Sequence, residues 1–202
     1  MPPLPLKQIG LFALRFVLIY GLLVAAWPIL GSGYRALFCG LGNVLFEGGE
    51  ASVHFQPMDT PGAFDTQLMM RKRSTGVRGH MKVDSRLVGY LPTVSLIAFV
   101  LATPISWKRR RRALLAGLAL VTVFVALRMG IPLWRDFSNP NALQVYHPSA
   151  FSRRVLGVAQ RALLEAPASW FVIPIFIWVG VAFRRADWQL LDEGAQGGAE
   201  KA

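Results

Sequence analysis

The sequence predicts a mainly α-helical membrane protein: four transmembrane helices, a small exported antiparallel β segment and an interfacial amphipathic helix. Three observations lead there. Two apolar stretches, residues 89–107 and 113–134, flank the tract Lys108-Arg109-Arg110-Arg111-Arg112. Each has roughly the 20 residues that cross a ~30 Å hydrocarbon layer as a helix, and the cations between them must stay outside that layer. Next, 53% of the 202 residues are hydrophobic, 16% are charged and the mean hydropathy is +0.42, whereas a soluble domain carries about 25% charged residues. Finally, the segment after the first apolar block changes from helical to alternating periodicity.

Charge and cysteine content narrow the classes further. Lys and Arg number 22 against 11 Asp and Glu, a net charge of +11. In a chain this apolar, such cations fix topology and meet anionic lipid headgroups, so membrane lipids are expected partners and nucleic acid is not. One cysteine, Cys39, excludes an intramolecular disulfide and any multi-cysteine metal site.

Taken in order, residues 1–31 are a Pro-rich leader and the first span, over 11–31. Arg15 lies one turn inside the span, where it can snorkel to the interface. The apolar run is longer than a signal-peptide core and carries a charge, so a retained helix is expected. Residues 32–88 form an exported, strand-rich segment. Positions 52–56 alternate, with Val53 and Phe55 on one side. The stretch 64–73 alternates through Phe64, Thr66, Leu68 and Met70, and 80–87 through Met81, Val83 and Leu87. Turn-rich sequence at 57–62 and 74–79 joins them. The reading is a three-stranded antiparallel sheet, too small to hold itself together, so its apolar side should lean on lipid, on the amphipathic helix or on a protein partner bound through 51–88.

Residues 89–134 then form a hairpin of spans two and three, with the basic tract as its turn. Residues 135–167 are an exported loop. Within it Phe151, Val155, Leu156, Ala159 and Leu163 share one helical side opposite Arg153, Arg154 and Arg161, with Ser149 or Ser152 available to cap the start. The fourth span covers 168–185, kinked at Pro174 and stopped by Arg184-Arg185. A cytoplasmic tail, 186–202, is Gly-rich, polar and expected to be disordered. Cations in short loops weigh most in orientation, so the basic turn and both termini are placed in the cytoplasm, in what is expected to be a bacterial inner membrane. Trp27, Trp134 and Trp170 then mark the outer interface, Trp107 and Trp188 the inner.

No Walker loop, G-x-S-x-G elbow or H-E-x-x-H pair occurs, and no cofactor is implied. Catalytic residues are therefore not assigned, and four weak candidates remain. Cys39, Arg86, Arg128 and His147 all fall on the exported side, and a thiol beside a base and a cation could act as a nucleophile. Packing is the commoner use of an apolar cysteine. Arg128 lies about two turns inside the third span, where a charge must snorkel or meet another helix. His54 and His80 fall where a sheet could bring them together, but spacing supplies no third ligand, so no metal site is read.

The order Cys39, Arg86, Arg128 is similar to that of exosortases and archaeosortases, multi-pass thiol transpeptidases with a Cys and downstream Arg or His on the exported side. The likeness covers those three residues. This chain places a strand-rich segment where that family continues in helices, and it has fewer spans. The expected function is a non-catalytic accessory or structural subunit of a membrane complex, more an interaction protein than an enzyme. The alternatives are an exported-face, exosortase-like thiol peptidase or transpeptidase using Cys39, or a small transporter component. The last is weakened because no expected span contains a carboxylate.

Overall fold

The structure, a computed structural model, describes residues 6–58, 62–139, 145–165 and 169–183. It is mostly helical, with one small sheet. Helix α1 (Leu6–Ala25) is followed almost directly by α2 (Trp27–Phe46), then strands β1 (Ala51–Pro57), β2 (Thr66–Lys72) and β3 (Arg78–Val83). A π turn (Arg86–Tyr90) leads into α3 (Leu91–Ala102), after which come α4 (Trp107–Ser138) and α5 (Ala150–Gln160). A second π turn (Arg161–Glu165) and α6 (Ser169–Ala182) complete the described chain.

Among the described residues, α2 and α4 are long and apolar enough to cross a membrane, and a third span results if α5 and α6 form one bent crossing. The stretches Ile9–Ala25 and Arg86–Ala102 are apolar but shorter. Length and composition thus identify two or three candidates where four spans were expected.

The helix boundaries differ from the expected ones for reasons of backbone chemistry. The first span, expected over 11–31, is interrupted at Ala26. Pro28 has no N–H to give the carbonyl of Val24, and the Ile29 and Leu30 N–H groups both donate to the Ala26 carbonyl, at 3.0 and 2.9 Å. A second helix starts there and runs to Phe46, through residues 32–46 that were assigned to the strand-rich segment. The basic tract is also not the hairpin turn. The chain reverses at 103–106, where Pro104 forces Thr103 into extended backbone (ψ 130°), and residues 108–112 are the first turns of α4.

Cations at a helix N-terminus oppose its dipole, by about 0.3–1 kcal/mol each. Two of them find better partners at other helix ends. Arg109 donates to the Ala182 carbonyl closing α6, at 2.7 Å, and Arg110 to the Thr103 carbonyl closing α3, at 3.1 Å. Trp178 Nε1 donates to the Thr103 hydroxyl at 2.8 Å. The tract therefore fastens one end of a bundle of α1, α3, α4 and α6. Its interior is Leu96, Val100, Ala113, Val121 and Phe124, with Phe16 stacked on Phe99 and Phe12 on Trp178.

The sheet is antiparallel in the order β1-β2-β3, as its alternation predicts. Val53, Phe55, Leu68, Met70 and Val83 are buried. Leu87, expected on the same side, lies in the π turn and is exposed, as is Phe64 ahead of β2. The apolar side meets helices of the same chain other than α5. It packs on Phe38 and Phe46 of α2 and on Met129, Leu133 and Phe137 of α4. Gly42 permits this approach, since a Cβ there would stand 2.6 Å from the Phe55 ring. The sequence reading lacked that surface because it had no helix over 32–46.

The amphipathic helix occurs as expected, capped by Ser149, whose hydroxyl accepts the Ser152 N–H at 3.2 Å. Pro174 lies inside α6. The expected stop at Arg184-Arg185, Trp188 and the tail 186–202 lie outside the described residues.

Candidate functional site

The most polar buried point is Asp65, just before β2. Its Oδ1 accepts the Ser85 N–H at 2.8 Å and the Thr66 hydroxyl at 3.0 Å, and its Oδ2 accepts the Ser85 hydroxyl at 2.7 Å. Arg35 Nε lies 3.5 Å from Oδ2. The Asp65 N–H donates to the Val83 carbonyl at 3.2 Å. One carboxylate thus joins the start of β2, the end of β3, the entry to the first π turn and α2. A charge this buried is tolerable only when paired and hydrogen-bonded. Here Thr66, Ser85 and Arg35 surround the carboxylate, and Asp65 is only 6% exposed.

Cys39 stands one helical turn after Arg35, and its thiol is hydrogen-bonded to Thr66 in the field of Asp65 and Arg35. Of the four weak candidates, Cys39 alone belongs to this cluster. Arg86 places its guanidinium over the Trp27 ring, 5.7 Å from the centroid. Arg128 donates to the Leu87 carbonyl, a long bond of 3.4 Å, and lies over the Phe124 ring. That carbonyl is one that Pro92, having no N–H, cannot serve in the i to i+5 pattern of the π turn. Arg128 therefore meets the backbone of the π turn leading into α3. His147 is exposed at the rim of a depression formed with Leu45, Gly130 and Trp134. His54 pairs with Glu47 on the outer side of the sheet. No imidazole contacts the thiol among the described residues.

A second feature is an apolar groove of about 860 Å³ between the C-terminal part of α2, α4 and α5. Leu41, Leu45, Val123, Leu127, Phe151 and Val155 line it and are exposed. Asn43, next to its α2 wall, acts on the sheet edge: its side-chain amide donates to the Phe55 carbonyl at 3.1 Å and accepts the Phe55 N–H at 2.6 Å. The free edge of β1 is thereby closed.

Sequence reasoning missed the pairing of Asp65 with Arg35 because they lie 30 residues apart, Asp65 inside the alternation over 64–73 on the side opposite Phe64 and Thr66, where water-facing placement is the usual expectation for a charge. No protein-family model matches the chain, and no curated protein or solved structure is significantly similar to it.

Proposed function

We propose that this chain is a multi-pass membrane protein crossing the bilayer through α1, α3, α4 and α6, and that it serves as a non-catalytic accessory or structural subunit. Both chain ends and the basic tract face the cytoplasm in this reading, and the sheet faces the opposite side. The four helices pack as one bundle, and its outer surface carries exposed Leu14, Leu18, Leu22, Leu115 and Phe176, residues suited to lipid. Lys108, Arg111 and Arg112, not engaged as Arg109 and Arg110 are at helix ends, remain exposed for headgroups.

The observation that supports the non-catalytic reading is the Asp65 cluster, whose carboxylate is held by Thr66, Ser85 and Arg35, with no imidazole at the adjacent thiol among the described residues. The apolar side of the sheet is filled by α2 and α4, so a protein partner is better served by the groove beside α5, whose open apolar walls suit a partner's membrane helix. The thiol-enzyme reading keeps one favourable observation, the placement of Cys39 beside Asp65 and Arg35.

Replacement of the natural copy separates the two. Cys39→Ala should leave the protein level and the behaviour of the cell unchanged, while Phe151→Asp should release the partner recovered in mild detergent. A Cys39→Ala strain that behaves like a deletion, with normal protein level, would establish the thiol enzyme instead.

A further inference from the structure

The outer side of the sheet carries a row of residues that no spacing argument assembles. Strand register sets His54 of β1 opposite Met69 of β2, and Met69 opposite His80 of β3. Opposed residues of antiparallel strands project to the same side with Cβ atoms about 4.5–5.5 Å apart. The three side chains line one depression of about 610 Å³, away from the buried side held by Val53, Phe55, Leu68 and Met70. Met69 is 44% exposed, while its neighbours along β2 on that side are the polar Gln67 and Arg71. A half-exposed thioether between two imidazoles contributes little to packing.

The imidazole of His54 is also oriented. Its Nδ1 lies 3.3 Å from Glu47 Oε1, so an Nδ1–H given to that carboxylate would leave Nε2 as the nitrogen for a metal. Carboxylates orient metal-binding histidines in this way.

We propose that His54, Met69 and His80 form a binding site for copper(I), with two imidazole nitrogens and the Met69 sulfur as ligands and Glu47 as the positioning residue for His54. The outer strands stand about 10 Å apart, two interstrand spacings, so His54 and His80 each lie one spacing from Met69 on the central strand, a gap that an imidazole side chain can span. Thioether and imidazole donors suit the soft monovalent ion. Calcium and magnesium require oxygen ligands that the row lacks. Arg71, Arg73 and Arg78 line the same depression and raise the cost of each added positive charge, which disfavours divalent ions. Among the described residues no group of three His, Cys, Asp or Glu could hold a metal; the third ligand here is a methionine.

The test uses the full-length protein in detergent, titrated anaerobically with copper(I) against a chromophoric copper(I) chelator, with X-ray absorption on the bound ion. The protein should withdraw one ion per chain and show nitrogen and sulfur scattering. Met69→Leu, which keeps the side-chain volume, should weaken binding and remove the sulfur signal. His54→Gln and His80→Gln should each abolish competition with the chelator, and Glu47→Gln should weaken binding roughly tenfold. Cys39→Ser, on the other side of the sheet, should bind as the parent does. The proposal is overturned if the folded parent takes no copper, if His80→Gln binds unchanged, or if binding disappears only with Cys39→Ser.

Discussion

Asp65 shows how much one side chain can organise. Asp65→Asn keeps the volume but turns an acceptor into a donor facing Ser85 or Thr66 and leaves the partly buried Arg35 without its counter-charge. Removing one partner of a buried pair costs about 3–5 kcal/mol, so this variant should fall well below the parent in thermal unfolding followed in detergent. Ser85→Ala removes one bond to the carboxylate and should cost about 2 kcal/mol. Equal stability of Asp65→Asn and parent would show that the cluster is not a brace. Gly42→Ala gains helix propensity, but its methyl meets the Phe55 ring at 2.6 Å. Overpacking of about 1–3 kcal/mol should prevail, and the same assay reads it. At the turn after β2, hydrogen bonds from the Ser74 hydroxyl and N–H hold the exposed Glu50 carboxyl below its ordinary pKa. The folded pKa being the lower one, this contribution is present at neutral pH and is lost as pH falls through it. The protection of the Ser74 amide, taken relative to its intrinsic exchange rate at each pH, should therefore fall in acid, and Glu50→Gln should flatten that pH dependence. Residue roles were the least legible level in the sequence. Arg128 read as an isolated charge because nothing in its surroundings reveals that Pro92 strands the Leu87 carbonyl. Met69 drew no reading, because its meaning depends on register across two strands.

At the scale of elements, periodicity was informative and punctuation was misread. The alternations at 52–56, 64–73 and 80–87 correspond to the three strands because a half-buried strand imposes period two whatever its neighbours. The helix over 27–46 was hidden by Gly31, Gly33, Gly40 and Gly42, which lower helix propensity; of these, Gly42 lets the helix lie against the Phe55 ring and Gly31 makes room for the Trp27 ring of the same helix. The hairpin reverses at Pro104 rather than at the charges, since a run of Lys and Arg is a good helix former and only the prolines break the ladder. Two variants follow. Pro28→Ala restores a donor to the Val24 carbonyl and should raise the helical signal around Ala26 in amide exchange; unchanged protection there would mean the break has another cause. In α5, Phe151→Asp charges the apolar groove and should increase protease cleavage between 139 and 165, whereas Arg161→Gln on the exposed side should do much less. Equal cleavage in both would show that α5 is not held by that groove.

For the whole molecule, the folded arrangement joins two regions of different make-up. A bundle of α1, α3, α4 and α6 is fastened at one end by Arg109 and Arg110, and α2 with the far part of α4 carries the sheet beyond its other end. The membrane class was legible because block hydropathy follows directly from the cost of burying backbone and charge in hydrocarbon. The way the sheet is supported was not, because it depends on contacts between segments far apart in sequence, such as Phe55 with Phe38 and Phe46. Sidedness is the claim on which the rest depends, and paired reporters test it most directly. A reporter that works only in the cytosol is fused after Lys201, and one that works only when exported is inserted at Gly62. Both should be active, and neutralising Lys108, Arg111 and Arg112 together should weaken that bias. An inactive pair, or the two sites found on the same side, would contradict the four-crossing arrangement.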